Sequence, residues 1–107
     1  MHDCINLVFV ILRQTLLLLN QLTKGNANIQ KIVAFENAFD RLFDVIAEEG
    51  HAGGGIVVED CLLLMLNLLR NNTSNQNFFK EGNELHSGLK NIVLNILVLR
   101  GISYLAR

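Results

Sequence analysis

Residues 16–33, LLLLNQLTKGNANIQKIV, lie over residues 62–79, LLLMLNLLRNNTSNQNFF, when the chain is displaced by about 46 residues. Leu16, Leu17, Leu18 and Leu22 meet Leu62, Leu63, Leu64 and Leu68. Lys24 meets Arg70, Asn26 meets Asn72, Gln30 meets Gln76, and Ile32 and Val33 meet Phe78 and Phe79. Each copy reads as a long apolar helix, an Asn-rich turn and a short helix. Leucine runs match one another easily, so the aligned turns carry the weight. A period of about 40–47 residues with helices in each unit marks armadillo and HEAT arrays. Such units bury their apolar faces against neighbours, and at least about three are usually needed for stability. The expectation is an all-α fold, an armadillo-like helical repeat (α-solenoid) fragment. It holds one complete unit flanked by two partial ones, with adhesive ends.

The remaining segments also read as helices. Between residues 35 and 47, Phe35, Ala38, Phe39, Leu42, Phe43 and Ile46 follow a helical period, with Asn37, Asp40, Arg41, Asp44 and Glu48 opposite. This predicts a half-buried amphipathic helix that Gly50 ends as a left-handed cap. Residues 56–71 are apolar almost all round, so other helices must cover them. Glu59, Asp60, Asn67, Arg70 and Asn71 share one narrow strip, with the acids expected in the first turn and Arg70 in the last. Ser74 or Asn75 is expected to cap a short helix that buries Phe78 and Phe79 and stops at Gly82. Residues 89–105 read as a further helix.

Composition removes several function classes. Nine Lys and Arg against ten Asp and Glu leave no strongly basic field for a nucleic-acid backbone. Half the residues are hydrophobic, and there is no proline, so long helices meet no obligatory breaker. Cys4 and Cys61 are too few for a disulfide framework or a zinc cluster, and Cys61 reads as a small core residue. Residues 4–22 are apolar, but Arg13 and Gln14 interrupt them, and neither run approaches the ~20 residues of a membrane span. No basic residues precede this stretch, as a signal peptide would show.

The stretch EEGHAGGGIVVED, residues 48–60, looks most like a catalytic or phosphate-binding loop. It has glycines before a helix but lacks the Lys and Ser or Thr of a phosphate loop. Glu59 and Asp60 stand where the anion would sit. His51 and Cys61 are separated by a helix start, and adjacent carboxylates in a helix point about 100° apart. No catalytic constellation, cofactor site or metal site is expected. One surface feature remains: Asn67, Arg70 and Asn71, with Gln21 and Lys24 at the displaced positions of Asn67 and Arg70. Amides both donate to and accept from an extended partner backbone, so these five residues are the candidate protein-binding strip.

Residues 16–82 closely resemble the globular head of the general vesicular transport factor family, the Golgi vesicle-tethering proteins related to yeast Uso1. The resemblance is carried by IQKIVAFENAF, GGIVVEDCL and NNTSNQNFFKEG. It implies an armadillo-like head and a non-catalytic, protein-binding role in tethering vesicles before fusion, in endoplasmic reticulum to Golgi and intra-Golgi transport. The implied protein is cytoplasmic and peripheral on Golgi and vesicle membranes, and homodimeric in its full-length form. Its implied partners are a Rab-class small GTPase and SNARE or tethering machinery.

The flanks depart from the family. Residues 1–15 and 83–107 are not recognisable as family sequence, and the family's coiled coil and acidic tail are missing. Both flanks are expected to be helical, and to derive from translated intron or mispredicted sequence that was never selected to pack on the repeat. A free-standing helical adaptor and a small membrane-inserted protein are the alternative readings.

Overall fold

A helix that is apolar on every side needs neighbours on every side, and the chain is built around one. The computed structural model describes residues 2–51, 55–82 and 86–101. Among these residues are six α-helices: α1 His2–Thr23, α2 Ala27–Phe35, α3 Ala38–His51, α4 Gly55–Leu69, α5 Thr73–Glu81 and α6 Ser87–Leu99. There is no strand among them. Helix α4 packs against all five others. Its Val57, Cys61, Leu64, Met65, Leu68 and Leu69 are fully buried. A fully buried large aliphatic side chain contributes about 1.5–3 kcal/mol, so α4 dominates the core.

The repeat read from the sequence is present in space. A long, a short and an intermediate helix follow one another twice, with 22, 9 and 14 residues and then 15, 9 and 13. Gly25 and Asn71, displaced copies of one another, both take a left-handed backbone, with φ of 66° and 56°. Each makes the turn that folds a long helix back onto a short one. All-α, armadillo-like packing follows.

Several expected details move. The helix expected to run from residue 35 is broken at Glu36 and Asn37, and Asn37 has φ 64°. Asparagine tolerates this conformation better than other non-glycine residues. Phe35 therefore ends α2 and is exposed, where its ring and that of Phe78 pack edge to face with centroids 5.0 Å apart. Helix α3 runs through Gly50 to His51, so Gly50 does not stop it. The connecting glycines at 52–54 lie outside the described residues.

Helix α4 starts at Gly55, which puts Glu59 and Asp60 beyond its first turn, and Arg70 follows its last residue. Asp60 is also not a solvent-facing member of the strip. It is buried, and Arg13 Nε donates to its Oδ2 at 3.2 Å. Asn72, rather than Ser74 or Asn75, caps α5. Phe79 is buried and Phe78 only half-buried, while Gly82 ends α5 as expected. The last predicted helix appears as α6 but starts at Ser87 and stops at Leu99, where Arg100 and Gly101 (φ 108°) turn the chain; residues 102–105 lie outside the described ones.

Helix α6 docks through three kinds of contact. Val93 and Leu97 are buried in the core that α3 and α4 share with it. Lys90 Nζ donates to the carbonyls of Phe79 (2.6 Å) and Gly82 at the C-terminus of α5, and stands 5.0 Å from the Phe79 ring centroid. A cation on the last carbonyls of a helix satisfies acceptors that have no intrahelical partner. Burial lowers the Lys90 pKa, with the Asp40 charge opposing. At the far end Arg100 forms a two-pronged pair with Glu59, at 2.6 and 2.9 Å.

Three substitutions test this framework. Asn72→Ala removes the α5 cap and a donor to α2, and should lower unfolding stability by about 2–3 kcal/mol in urea titrations. Asn26→Ala removes a cap alone and should cost about 1 kcal/mol. The hydrogen bond from Arg100 holds the Glu59 carboxyl below its ordinary 4.5, with burial opposing. The pair's contribution is therefore full above pH 4.5 and fades as pH falls through the lower, folded value. Both groups are part-exposed, so the effect is small. Arg100→Gln should flatten the acid side of the melting temperature against pH curve relative to wild type.

Candidate protein-binding hollow

The two left-handed turns end side by side, and the reason is a set of amide hydrogen bonds. Asn26 Oδ1 accepts from Ile29 N at 3.2 Å, and Asn72 Oδ1 accepts from Asn75 N at 3.1 Å. These are matching N-caps of α2 and α5. Gln30 Nε2 then donates back to Thr23 O at 2.7 Å, and Gln76 Nε2 to Leu69 O at 2.8 Å. Each bond spans the same seven residues and ties a short helix to the end of the long helix before it.

Further amides join one copy to the other. Asn72 Nδ2 donates to Gln30 Oε1 (2.9 Å) and Asn75 Nδ2 to Gln30 O (3.0 Å), while Asn75 Nδ2 also donates within its own copy to Leu68 O (2.8 Å). Asn67 Nδ2 donates to both the backbone and side-chain oxygens of Asn20, each at 3.1 Å. Asn20 Nδ2 in turn donates to Asp60 O at 3.2 Å. Buried polar groups cost stability unless paired, and here the pairs fix the register of α1 and α2 on α4 and α5. Among the described residues Asn75 Oδ1 is the buried side-chain oxygen left without a partner.

Between the turns is a hollow of about 330 Å³, lined by Lys24, Gly25, Ala27, Gln30, Asn67, Arg70 and Asn71. Four of the five residues singled out in the sequence, Lys24, Asn67, Arg70 and Asn71, meet here. Gln21 is exposed on α1 and is not part of the lining. Asn67 is half-buried with its Nδ2 committed to Asn20, so it is partly structural. Gln30 was missed as a wall of the site. Its signal was visible, since an amide in an apolar short helix recurs in the displaced copy as Gln76.

The residues once weighed for catalysis do not converge. Cys61 is wholly buried, and burial, followed by the charges of Asp60 and Glu49, pushes its thiol up to about 12. A thiol held there is not a nucleophile at neutral pH. The side chain of His51 lies outside the described ones. Among the described residues no three His, Cys, Asp or Glu side chains gather as a metal site, and no helix is long and apolar enough to cross a membrane.

Comparison with known proteins connects this framework to a family. No protein-family model matches the chain. It is 68% identical over 73 residues to the human general vesicular transport factor p115, which is 68% of this chain and 8% of that protein. It is 49% identical over 72 residues to the intracellular protein transport protein USO1 of Saccharomyces cerevisiae, covering 67% of this chain and 4% of that one. It is 53% identical over 53 residues to golgin candidate 6 of Arabidopsis thaliana, half of this chain and 6% of that one. The chain thus spans only a small part of the length of these relatives. On this similarity, to animal, fungal and plant proteins alike, it carries a segment of the general vesicular transport factor (Uso1-related) family.

Proposed function

We propose that residues 16–82 form a non-catalytic, protein-binding unit of a vesicle-tethering factor acting in endoplasmic reticulum to Golgi and intra-Golgi transport, before membrane fusion. The observation that carries this reading is the 68% identity over 73 residues to a protein named for general vesicular transport. The unit works by binding: a repeat edge presents Lys24, Asn67, Arg70 and Asn71 to protein partners. Those partners are a Rab-class small GTPase and SNARE or tethering machinery. The protein is cytoplasmic, and peripheral on Golgi and vesicle membranes through its partners. The full-length form is a homodimer. Residues 1–15 and 83–107 flank the family segment.

The exposed leucines of α1 support a place within a longer array. Leu18 and Leu22 are 59% and 47% exposed, whereas their displaced copies Leu64 and Leu68 on α4 are fully buried. Helix α1 covers α4. A further unit of the same kind would cover α1 in the same way. A separate hollow of about 390 Å³ is lined by apolar side chains of α1 to α4, among them Leu19, Val33 and Leu42, together with Glu36 and Arg41.

Two measurements test the reading. Purified chain should capture a GTP-loaded Rab-class GTPase in pull-down. Asn67→Ala, Arg70→Ala and Asn71→Ala together should cut capture about tenfold, the weight of a small hot-spot cluster. Arg70→Ala alone, which touches neither the Asn20 bonds nor the left-handed turn, should cut it by a smaller factor with an unchanged melting curve. Equal capture would remove this surface from the reading, and no capture by either chain would overturn the GTPase assignment. In sedimentation, Leu18→Gln with Leu22→Gln should shift the isolated chain toward monomer, because the pair forms part of an uncovered apolar patch.

A further inference from the structure

The hollow between the turns has a positive charge that no carboxylate among the described residues pairs with. Lys24 and Arg70 occupy the same position in the two copies, each just after the end of a long helix. No carboxylate is among the lining residues. Arg13 is engaged with Asp60, Arg100 with Glu59 and Lys90 with helix-end carbonyls, while Lys31, Arg41 and Lys80 are exposed cations scattered elsewhere; Lys24 and Arg70 differ in lining one hollow together. Lys24 and Arg70 form no ion pair among the described residues. Two like charges lining one hollow repel, and an anionic ligand there gains from both.

The walls are also held ready for an extended chain. The turns are locked by the paired caps and the Gln30 and Gln76 bonds, so little ordering is lost on binding. Asn67 has spent its Nδ2 on Asn20, which leaves its Oδ1 as an acceptor for a peptide N–H. Asn71 is exposed at the rim with both a donor and an acceptor. Amide groups beside spaced cations suit a peptide backbone with acidic side chains better than a compact phosphate. An Arg fork further favours a carboxylate.

We propose that this hollow is a docking site for an extended segment rich in Asp and Glu on a protein partner. Lys24 and Arg70 pair with its carboxylates, and Asn67 and Asn71 hold its backbone. The proposal rests on the hollow named under the proposed function and specifies the chemistry of its occupant.

Fluorescence anisotropy with a labelled Glu-rich decapeptide and the full 107-residue chain tests it. The wild type should bind with an affinity that falls as salt rises. Lys24→Glu with Arg70→Glu should weaken binding at least about tenfold, and Lys24→Gln with Arg70→Gln by a smaller factor. Lys80→Glu, an exposed cation on α5 outside the hollow, should bind within about twofold of wild type. Melting curves on each variant keep loss of binding apart from loss of fold. Equal affinity of wild type and the doubly reversed chain would overturn the proposal, as would no peptide binding at all. So would retention on vesicles containing phosphatidylserine that exceeds peptide binding and is lost in the same variants. Because peptide binding is read directly, failure of GTPase capture leaves this result standing. Failure here leaves the tethering family reading standing.

Discussion

Helix α4 has no face that water can solvate without exposing apolar surface, and this one constraint organises the rest. The other five helices are the cover it requires. The wholly buried Val57, Cys61, Leu64, Met65 and Leu68 share one face, Leu62, Leu66 and Leu69 carry the cover round the helix, and Ile56, Glu59 and Leu63 stay exposed on the remaining side. Because burial is roughly proportional to area and has no direction, it explains why the neighbours gather but not how they are aligned. Helix α6 shows the difference. Its Val93 and Leu97 enter the core by hydrophobicity alone, whereas Lys90 and Arg100 set where along α4 and α5 it comes to rest.

Alignment within the repeat is supplied by amides. The Asn72–Gln30 and Asn75–Gln30 bonds are directional, and a shift of α2 by one residue would break them together. They replace the specificity that uniform leucine packing lacks, since leucines on one helix fit leucines on another in more than one register. The network carries a cost. Asn75 uses both hydrogens of its Nδ2 on Gln30 O and Leu68 O, and its Oδ1 is left buried without a partner. An unmet acceptor of this kind costs about 1–3 kcal/mol. The donation to Leu68 O offsets part of it, because a carbonyl in the last turn of α4 has no intrahelical partner.

The repeat was legible because its signal is doubly written, in apolar spacing and in turn residues. Asn26 and Asn72 match in sequence, and they cap α2 and α5 in the same way. The displaced Lys24 and Arg70 were legible for the same reason. What sequence could not supply was the break at Asn37. The apolar period continues across it, from Phe35 to Ala38 and Phe39, so the hydrophobic pattern has no interruption there. Asp60 was misjudged because a helix strip drawn from one chain segment ignores what approaches it. Arg13 arrives from α1, 47 residues away, and turns a solvent-facing acid into a buried partner. Lys90 was equally silent: nothing in its own neighbourhood announces the α5 carbonyls it meets.

The geometry divides the surface by chemistry. Leu18 and Leu22 are exposed on α1, whereas their counterparts in the second copy, Leu64 and Leu68, are buried on a helix that α1 packs against. Lys24 and Arg70 lie just past helix ends and are exposed. A solenoid must keep these apart, because a cation on the stacking face would be desolvated without a partner. Leucines at the turns would in turn expose a sticky edge. Stacking also repeats the edge once per unit. A single pair of cations holds an extended ligand weakly, since exposed ion pairs contribute little each. Adjoining units would multiply the contact through effective concentration. A 46-residue period that keeps a cation after each long helix is therefore suited to a ligand that runs along the array.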